Sequence, residues 1–324
     1  MAADINNSVR YELIDEGSEG QKIDNFLIKT LKNVPKSHIY KLLRSGQVRV
    51  NKKRIKTDFR LSLGDSVRIP PFTSPKNDIK APISIKPEHA LLIEKAIIHE
   101  DDALIVINKP CGLAVHGGSG LSYGLIELLR KSRPEAKFLE LVHRIDKETS
   151  GIILVAKKRP VLVDMHKQMR NKTIHKKYQV MVNGRWQKKQ MIVDLNLLKT
   201  TAEDGQKKVR VLSKDTAIEG AKASRSVFFL KHAFNDFSFL EVKLVTGRTH
   251  QIRVHLSHLG FPIVGDDKYG DFSLNRKQGK LGFKRMFLHA SELGFRHPLT
   301  GDDIFLTAPI PIDFIELQSY AKTH

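Results

Sequence analysis

Nine mostly polar residues, His143-Arg144-Ile145-Asp146-Lys147-Glu148-Thr149-Ser150-Gly151, interrupt an apolar part of the chain. Upstream Phe138-Leu139-Glu140-Leu141-Val142 and downstream Ile152-Ile153-Leu154-Val155-Ala156 each read as a buried strand, so Asp146 is expected on a short loop between rigid elements. Thr149-Ser150-Gly151 supplies turn chemistry before the second strand. A carboxylate so placed can be a nucleophile, a proton carrier or an ordinary loop charge.

A second polar stretch, Thr246 to Gly260, carries Arg248, His250, Arg253, His255 and His258. Read as a helix starting near Thr249, it turns Ile252, Leu256 and Leu259 to the core and His250, Arg253 and Ser257 to another face. Gly260 suits its C-terminal cap, and Pro262 prevents continuation. The spacing of His255 and His258 lacks the paired geometry and glutamate of a zinc-protease helix, and the lone Cys111 cannot complete a structural zinc site. No metal is therefore expected, and the histidines read as hydrogen-bonding or RNA-contacting. No Gly-x-Ser-x-Gly elbow supports a serine hydrolase. Gly112 to Gly120 holds four glycines without the Walker spacing, which reads as tight turns beside a cleft. Cys111 reads as a small packed residue, and one cysteine excludes an internal disulfide.

The elements that must position these residues are legible in the surrounding pattern. Ala103 to Asn108 is a β-branched strand ended by Lys109-Pro110. Ile126 to Arg130 reads as a helix, and Pro160 stands in the first turn of another whose Leu162, Met165 and Met169 form an apolar stripe. From Ile174 to Val182 the alternation puts Ile174, Tyr178, Val180 and Val182 on one face, so Tyr178 points into the core or a cleft. Asn183-Gly184 signals a hairpin, and residues 190 to 245 add alternating runs with no long helix. The predicted class is α+β, a largely antiparallel mixed sheet with flanking helices.

Fifty-five Lys and Arg against thirty-five Asp and Glu leave a formal charge of +20, the signature of a polyanionic partner. Half of that excess lies between Lys22 and Pro70, which hold thirteen Lys or Arg and three Asp. There Ile23, Phe26, Leu27 and Leu31 share a helix face, and Ser37 is the expected N-cap of a second helix carrying Ile39, Leu42 and Leu43. After Ser45-Gly46 comes an alternating strand with a basic turn, and Leu61, Leu63, Val67 and Ile69 continue a small sheet. This order, above all Lys36 to Asn51, resembles the S4 RNA-binding domain, in which Lys36, Lys41, Arg44, Arg49, Lys52 and Lys53 would meet RNA. The expected organisation is a lead-in over 1–21, the S4-like domain over 22–70, a proline-containing linker over 71–89 and a catalytic domain over 90–324. No stretch approaches the roughly eighteen apolar residues of a membrane helix, and residues 1–7 show no signal pattern, so a cytoplasmic protein without membrane association is expected.

Several motifs, in order, resemble the RluA-type pseudouridine synthases: Asn108-Lys109-Pro110-x-Gly112, His143-Arg144-Ile145-Asp146-x-x-Thr149-Ser150-Gly151, Lys177-Tyr178, Gly247-Arg248-Thr249-His250-Gln251-Ile252-Arg253, then Gly265-Asp266 and Tyr269-Gly270. Ile145 stands where that family usually has leucine. The resemblance implies an isomerase of uridine in large-subunit ribosomal RNA that needs no cofactor and no obligate protein partner and works as a monomer. It further implies Asp146 as the catalytic carboxylate, attacking either sugar or base, Arg253 as its ion-pair partner, and Tyr178 stacking on the uracil near C5, either as a stacking surface only or also as the base that removes the C5 proton. Arg144 would aid base extrusion, His143 would brace the loop, and His250 and Arg248 would contact the substrate. A non-catalytic RNA-binding or ribosome-assembly protein on the same fold, or the same chemistry on transfer RNA, are the alternatives.

Overall fold

The structure, a computed structural model, describes residues 4–6, 8–31, 34–74, 87–117, 123–201, 207–212 and 218–323. The chain divides into two compact units, Met1–Ser84 and Ile85–His324.

In the first unit the order is β1 (Asp4–Asn6), β2 (Arg10–Leu13), α1 (Ile23–Thr30), α2 (Lys36–Arg44), β3 (Arg49–Val50), β4 (Lys53–Arg54), β5 (Ser66–Ile69) and β6 (Phe72–Ser74). Strands β2, β5, β3 and β4 form one antiparallel sheet, and β1 pairs with β6. The two helices bury Ile23, Leu27, Ile39 and Leu43 against Val48, Val67 and Ile69, as their spacing requires. Asn51 and Lys52 both adopt positive φ (48° and 67°), the left-handed pair that closes a two-residue hairpin between β3 and β4.

Three expectations change here. Strand β2, from the supposed lead-in, belongs to the sheet through Arg10–Leu13 pairing with β5. Ser37 lies inside α2, whose N-cap is Pro35 with no side-chain cap bond, because the fixed proline backbone already turns the chain into the helix. Leu63 is exposed rather than part of the sheet. Residues 75–86, the middle of the expected linker, lie outside the described residues, as do Gly118 and Gly120 of the glycine-rich stretch.

The second unit runs α3 (Pro87–Lys95), β7 (Ile97–Glu100), β8 (Leu104–Lys109), α4 (Leu125–Ser132), β9 (Glu140–Leu141), β10 (Ser150–Ala156), α5 (Arg159–Asn171), β11 (His175–Asn183), β12 (Gln190–Thr201), β13 (Lys207–Leu212), β14 (Lys222–Ala233), β15 (Phe237–Leu244), α6 (Gln251–His258), α7 (Phe272–Lys280), β16 (Leu288–Arg296), β17 (Asp303–Thr307) and α8 (Ile312–Thr323). One long sheet takes the order β13-β12-β14-β15-β11-β16-β10-β8-β7. Every pairing in it is antiparallel except β10 with β16. The α+β class read from the sequence holds. The wholly buried strand β10 packs Ile152 and Leu154 with α5 on one face and Ile153 and Val155 with α4 on the other.

The parallel seam organises the site. Strands β10 and β16 pair only at Ser150–His289 and Gly151–Ala290 and then separate, leaving the same edges to β9 and β17. Gly151 has φ 107°, and a Cβ there would lie 2.2 Å from the Ala290 carbonyl oxygen, so only glycine permits this approach. The sequence assigned a five-residue strand before the polar loop and a turn to Ser150-Gly151. Instead β9 keeps two residues, and Ser150 and Gly151 already belong to β10.

Asn183-Gly184 does not make the expected hairpin. Strand β11 pairs with β15 and β16, and β12 pairs with β13 and β14. Gly184 still turns the chain at φ 92°, with its N–H on the Asp236 carbonyl at 2.7 Å, but the following strand crosses to a distant place in the sheet.

Candidate active site

The loop from Val142 to Thr149 lies beside β10 where β16 has diverged. Val142 N–H reaches the Leu154 carbonyl at 2.9 Å, and Leu154 N–H donates to His143 Nε2 at 3.2 Å. Burial pushes the His143 imidazole down to about 3, so its ring is neutral and available as an acceptor. The other end is gripped from β8. Lys109, fully buried, donates from Nζ to the carbonyls of Pro110 (2.8 Å), Leu113 (2.7 Å) and Lys147 (3.0 Å). Gly112 N–H adds a second bond to Lys147 (3.0 Å), and Cys111 Sγ donates to the Glu148 carbonyl at 3.0 Å. Burial lowers the Lys109 ammonium to about 7, although three carbonyls accept its three N–H groups. The backbone on both sides of Asp146 is thus fixed by groups outside the loop.

Tyr178 reaches the same place across the sheet. Gly151 neighbours Ala290, Ala290 neighbours Tyr178, and Tyr178 neighbours Val242, one row running from β10 to β15. A bulge between Lys177 and Tyr178 against β16 aims the ring. Burial, and then the Asp146 charge, push its phenol above the ordinary range. A phenol held so gives up its proton less readily than one in water.

Helix α6 supplies the cation beside Asp146. Its first turn is clamped by buried Gln251, whose Oε1 accepts from Thr246 Oγ1 (2.8 Å) and Arg248 N–H (3.0 Å) while Nε2 donates to the Arg225 carbonyl and Ser226 Oγ on β14. Arg253, 5 % exposed, donates from Nη1 to Asp146 Oδ2 at 3.3 Å. It also makes a two-toothed contact with fully buried Asp266, Nε to Oδ2 at 2.8 Å and Nη2 to Oδ1 at 2.7 Å. Burial alone would lower the pKa of Arg253, but the hydrogen bonds and charge of Asp266, with Asp146, raise it instead. Asp266 is held below the usual carboxylate range, since Arg253 and two backbone N–H groups outweigh its burial. His250 sits on the other side of Asp146, Nε2 to Oδ1 at 3.8 Å.

These groups line one cavity of about 290 Å³, walled by Val142 to Asp146, Tyr178, Gly247, Arg248, His250 and Arg253 among others. The seven residues of this unit to which the resemblance gives a role, His143, Arg144, Asp146, Tyr178, Arg248, His250 and Arg253, all line it, whereas Ser257, expected on the same helix face, does not. Arg144 and Arg248 stand exposed at it, Arg248 Nε donating to the Ala223 carbonyl at 3.1 Å. Lys36, Lys41, Arg44, Arg49, Lys52 and Lys53 belong to the first unit and are exposed along α2 and the β3–β4 hairpin, alternating with buried apolar neighbours.

Sequence reasoning passed over four contributors. Lys176, polar in the otherwise apolar alternation of Ile174, Tyr178, Val180 and Val182, also lines the cavity, and burial lowers its pKa. Asp266 and Tyr269 were visible only as motif letters, and Lys109 only as a motif letter and a strand ending. An aspartate thirteen residues beyond Arg253, across a turn, gives no periodic signal. Of the three histidines, His255 is buried against Ser224 Oγ at 2.8 Å and His258 is exposed. Among the described residues no three His, Cys, Asp or Glu side chains form a metal cage, and no helix is long and apolar enough to cross a membrane.

Comparison with known proteins places the RNA pseudouridylate synthase family on residues 103–258 and the S4 domain on residues 21–67. The chain is 47% identical over 307 residues to ribosomal large subunit pseudouridine synthase C of Haemophilus influenzae, covering 94% of this chain and 93% of that protein. The Vibrio cholerae protein of the same name is 45% identical over 308 residues, with 95% of each covered. Among solved structures, human RNA pseudouridylate synthase domain containing 4 aligns with TM-score 0.60 at 24% identity over 72% of this chain and 95% of that one, a likeness of fold.

Proposed function

The chain belongs to the RNA pseudouridylate synthase family, and on that premise we propose that it isomerises specific uridines of large-subunit ribosomal RNA, acting as a cytoplasmic monomer with Asp146 as its reacting carboxylate. The substrate follows the names of relatives sharing nearly half their residues with it over almost the whole chain. The observation that carries the reading is the pairing of Asp146 with a buried, charge-compensated Arg253 in a cavity floored by Tyr178.

The reaction breaks the N1–C1′ bond of uridine, turns the base and joins C5 to C1′. C5 loses a proton, N1 gains one, and no electron is exchanged with an outside carrier. Asp146 forms a transient bond to the sugar or to the base and is released when the C–C bond closes. Arg253 balances the carboxylate charge before and after that bond exists. Tyr178 offers its face to the uracil, and its raised pKa keeps the phenol protonated. The target base must leave its stack to enter, and Arg144, exposed beside the cavity, is placed to occupy the vacated position. The S4-like unit adds exposed cations that grip RNA independently of the target base.

Mapping pseudouridines in cells with and without the gene tests this. Loss confined to large-subunit RNA is expected. Loss confined to transfer RNA would move the substrate, and an unchanged map would refute the proposal.

A further inference from the structure

Tyr269 meets both Arg253 and His250, the two side chains that stand beside the Asp146 carboxylate. Its backbone N–H donates to Asp266 Oδ1 at 3.0 Å, its ring lies 5.2 Å from the Arg253 guanidinium, and its oxygen is 2.8 Å from His250 Nδ1. The same oxygen accepts the Val209 N–H of β13 at 3.0 Å. His250 is the residue before α6, held in the left-handed region at φ 53° and ψ 22°. That conformation is unfavourable for a side chain with a Cβ and is a point of stored strain.

We propose that Tyr269 and His250 are positioning residues of the isomerisation: the Tyr269 hydroxyl fixes His250 as the Nε2–H tautomer, which stands beside Asp146 Oδ1 while Arg253 holds Oδ2. The proposal rests on Asp146 being the reacting carboxylate. A phenol has one proton to donate. Val209 N–H is itself a donor and cannot take it, so among the described contacts His250 Nδ1 is the acceptor. A ring that accepts at Nδ1 carries its proton on Nε2. Burial disfavours the doubly protonated ring, and around it the charges of Asp146 and Asp266 are opposed by those of Arg253 and Lys268.

The chemistry gives a neutral donor a use. A carboxylate bonded through Oδ2 alone can swing about its Cβ–Cγ bond, and an N–H beside Oδ1 restricts that swing. At 3.8 Å the contact is longer than a hydrogen bond and closes with a small movement as substrate enters. A second full positive charge would resist the loss of negative charge when Asp146 forms its covalent bond. A neutral N–H orients the carboxylate with less of that opposition.

Three variants of the full chain test this: Tyr269→Phe, His250→Gln and His250→Asn. The Gln amide can reach the place of Nε2, whereas the Asn amide stands near Nδ1. Tyr269→Phe should lower kcat by roughly ten- to a hundred-fold, the cost of a slightly misplaced reacting group, with KM for RNA nearly unchanged. His250→Gln should keep more activity than His250→Asn. Asparagine tolerates the left-handed backbone better, so a merely structural role reverses that order. Nitrogen-15 imidazole spectra should show Nε2–H in the parent and mixed tautomers in Tyr269→Phe. An Nδ1–H ring in the parent, or Asn matching or exceeding Gln, would overturn the proposal. If Asp146→Asn stays active, the carboxylate assignment fails by itself while the tautomer spectrum still judges the Tyr269–His250 pair.

Discussion

Asp266→Asn probes the support beneath Arg253 without touching Asp146. Asp266 is fully buried and its carboxylate accepts four bonds, from Arg253 Nε and Nη2 and from the backbone N–H groups of Lys268 (2.8 Å) and Tyr269 (3.0 Å). The three on Oδ1 survive if the Asn carbonyl takes that place. Its NH2 then faces Arg253 Nε, donor to donor, and the guanidinium loses its nearest countercharge. One lost charge-assisted bond is worth about 1.5–3 kcal/mol, and breaking a buried ion pair from one side costs about 3–5 kcal/mol in all. At roughly 2–4 °C per kcal/mol for a domain of this size, the melting temperature should fall by roughly 10 °C. The effect has a pH signature. The Asp266 pKa is depressed in the folded state, so its contribution is complete above the unfolded value near ~4 and lost as pH falls through the folded value. Parent and variant melting curves should therefore be far apart at pH 7 and converge in acid. A guanidinium shifted by about 1 Å also predicts a loss of order 100-fold in kcat. Calorimetry across pH with single-turnover kinetics reads both. An Asn variant melting within ~2 °C of the parent at pH 7 with full activity would refute the claim that Asp266 sets Arg253.

Further outcomes follow from the same geometry. Tyr178→Ala removes a stacking surface worth about 1–3 kcal/mol per base and should weaken RNA binding accordingly, whereas Tyr178→Phe should bind normally, so any kcat loss it shows measures the hydroxyl; equal binding losses in both would contradict the platform role. Gly151→Ala forces a Cβ against the Ala290 carbonyl and should lower both melting temperature and activity by opening the β10–β16 seam; an unperturbed variant would remove glycine from the argument. Replacing Lys36, Lys41, Arg44, Arg49, Lys52 and Lys53 by Gln should reduce the slope of log K against log salt by up to about 4–5, at ~0.7–0.9 per phosphate contact, without changing the circular dichroism; an unchanged slope would assign RNA gripping elsewhere.

The parts of the site that local sequence determines were legible, and the parts set by long-range pairing were not. Asp146 could be placed on a loop because polarity changes abruptly at His143 and Ile152, and Tyr178 could be turned inward because alternation has a fixed period. The sequence pattern also placed α1, α5 and α6 within a few residues of where they lie. Asn183-Gly184 misled because a turn signal specifies a backbone conformation, not which strand follows as neighbour. The two-residue length of β9 depends on where β16 diverges from β10, more than a hundred residues later in the chain. Asp266 and Tyr269 escaped notice because each acts through a partner thirteen or nineteen residues away across a turn, where no helix or strand period links the two. Lys109 escaped because a buried lysine defies composition rules and is tolerated only where three carbonyls converge.

The central claim is that the Asp146 carboxylate carries out the isomerisation. Tritium at C5 of uridine leaves when C5 takes the place of N1 on the sugar, so its release into water counts turnovers. With large-subunit RNA labelled at C5, the parent protein should release tritium, and Asp146→Asn, which keeps the shape but not the charge, should release none above background while binding the RNA as tightly. Release by the Asn variant at the parent's rate would contradict the account.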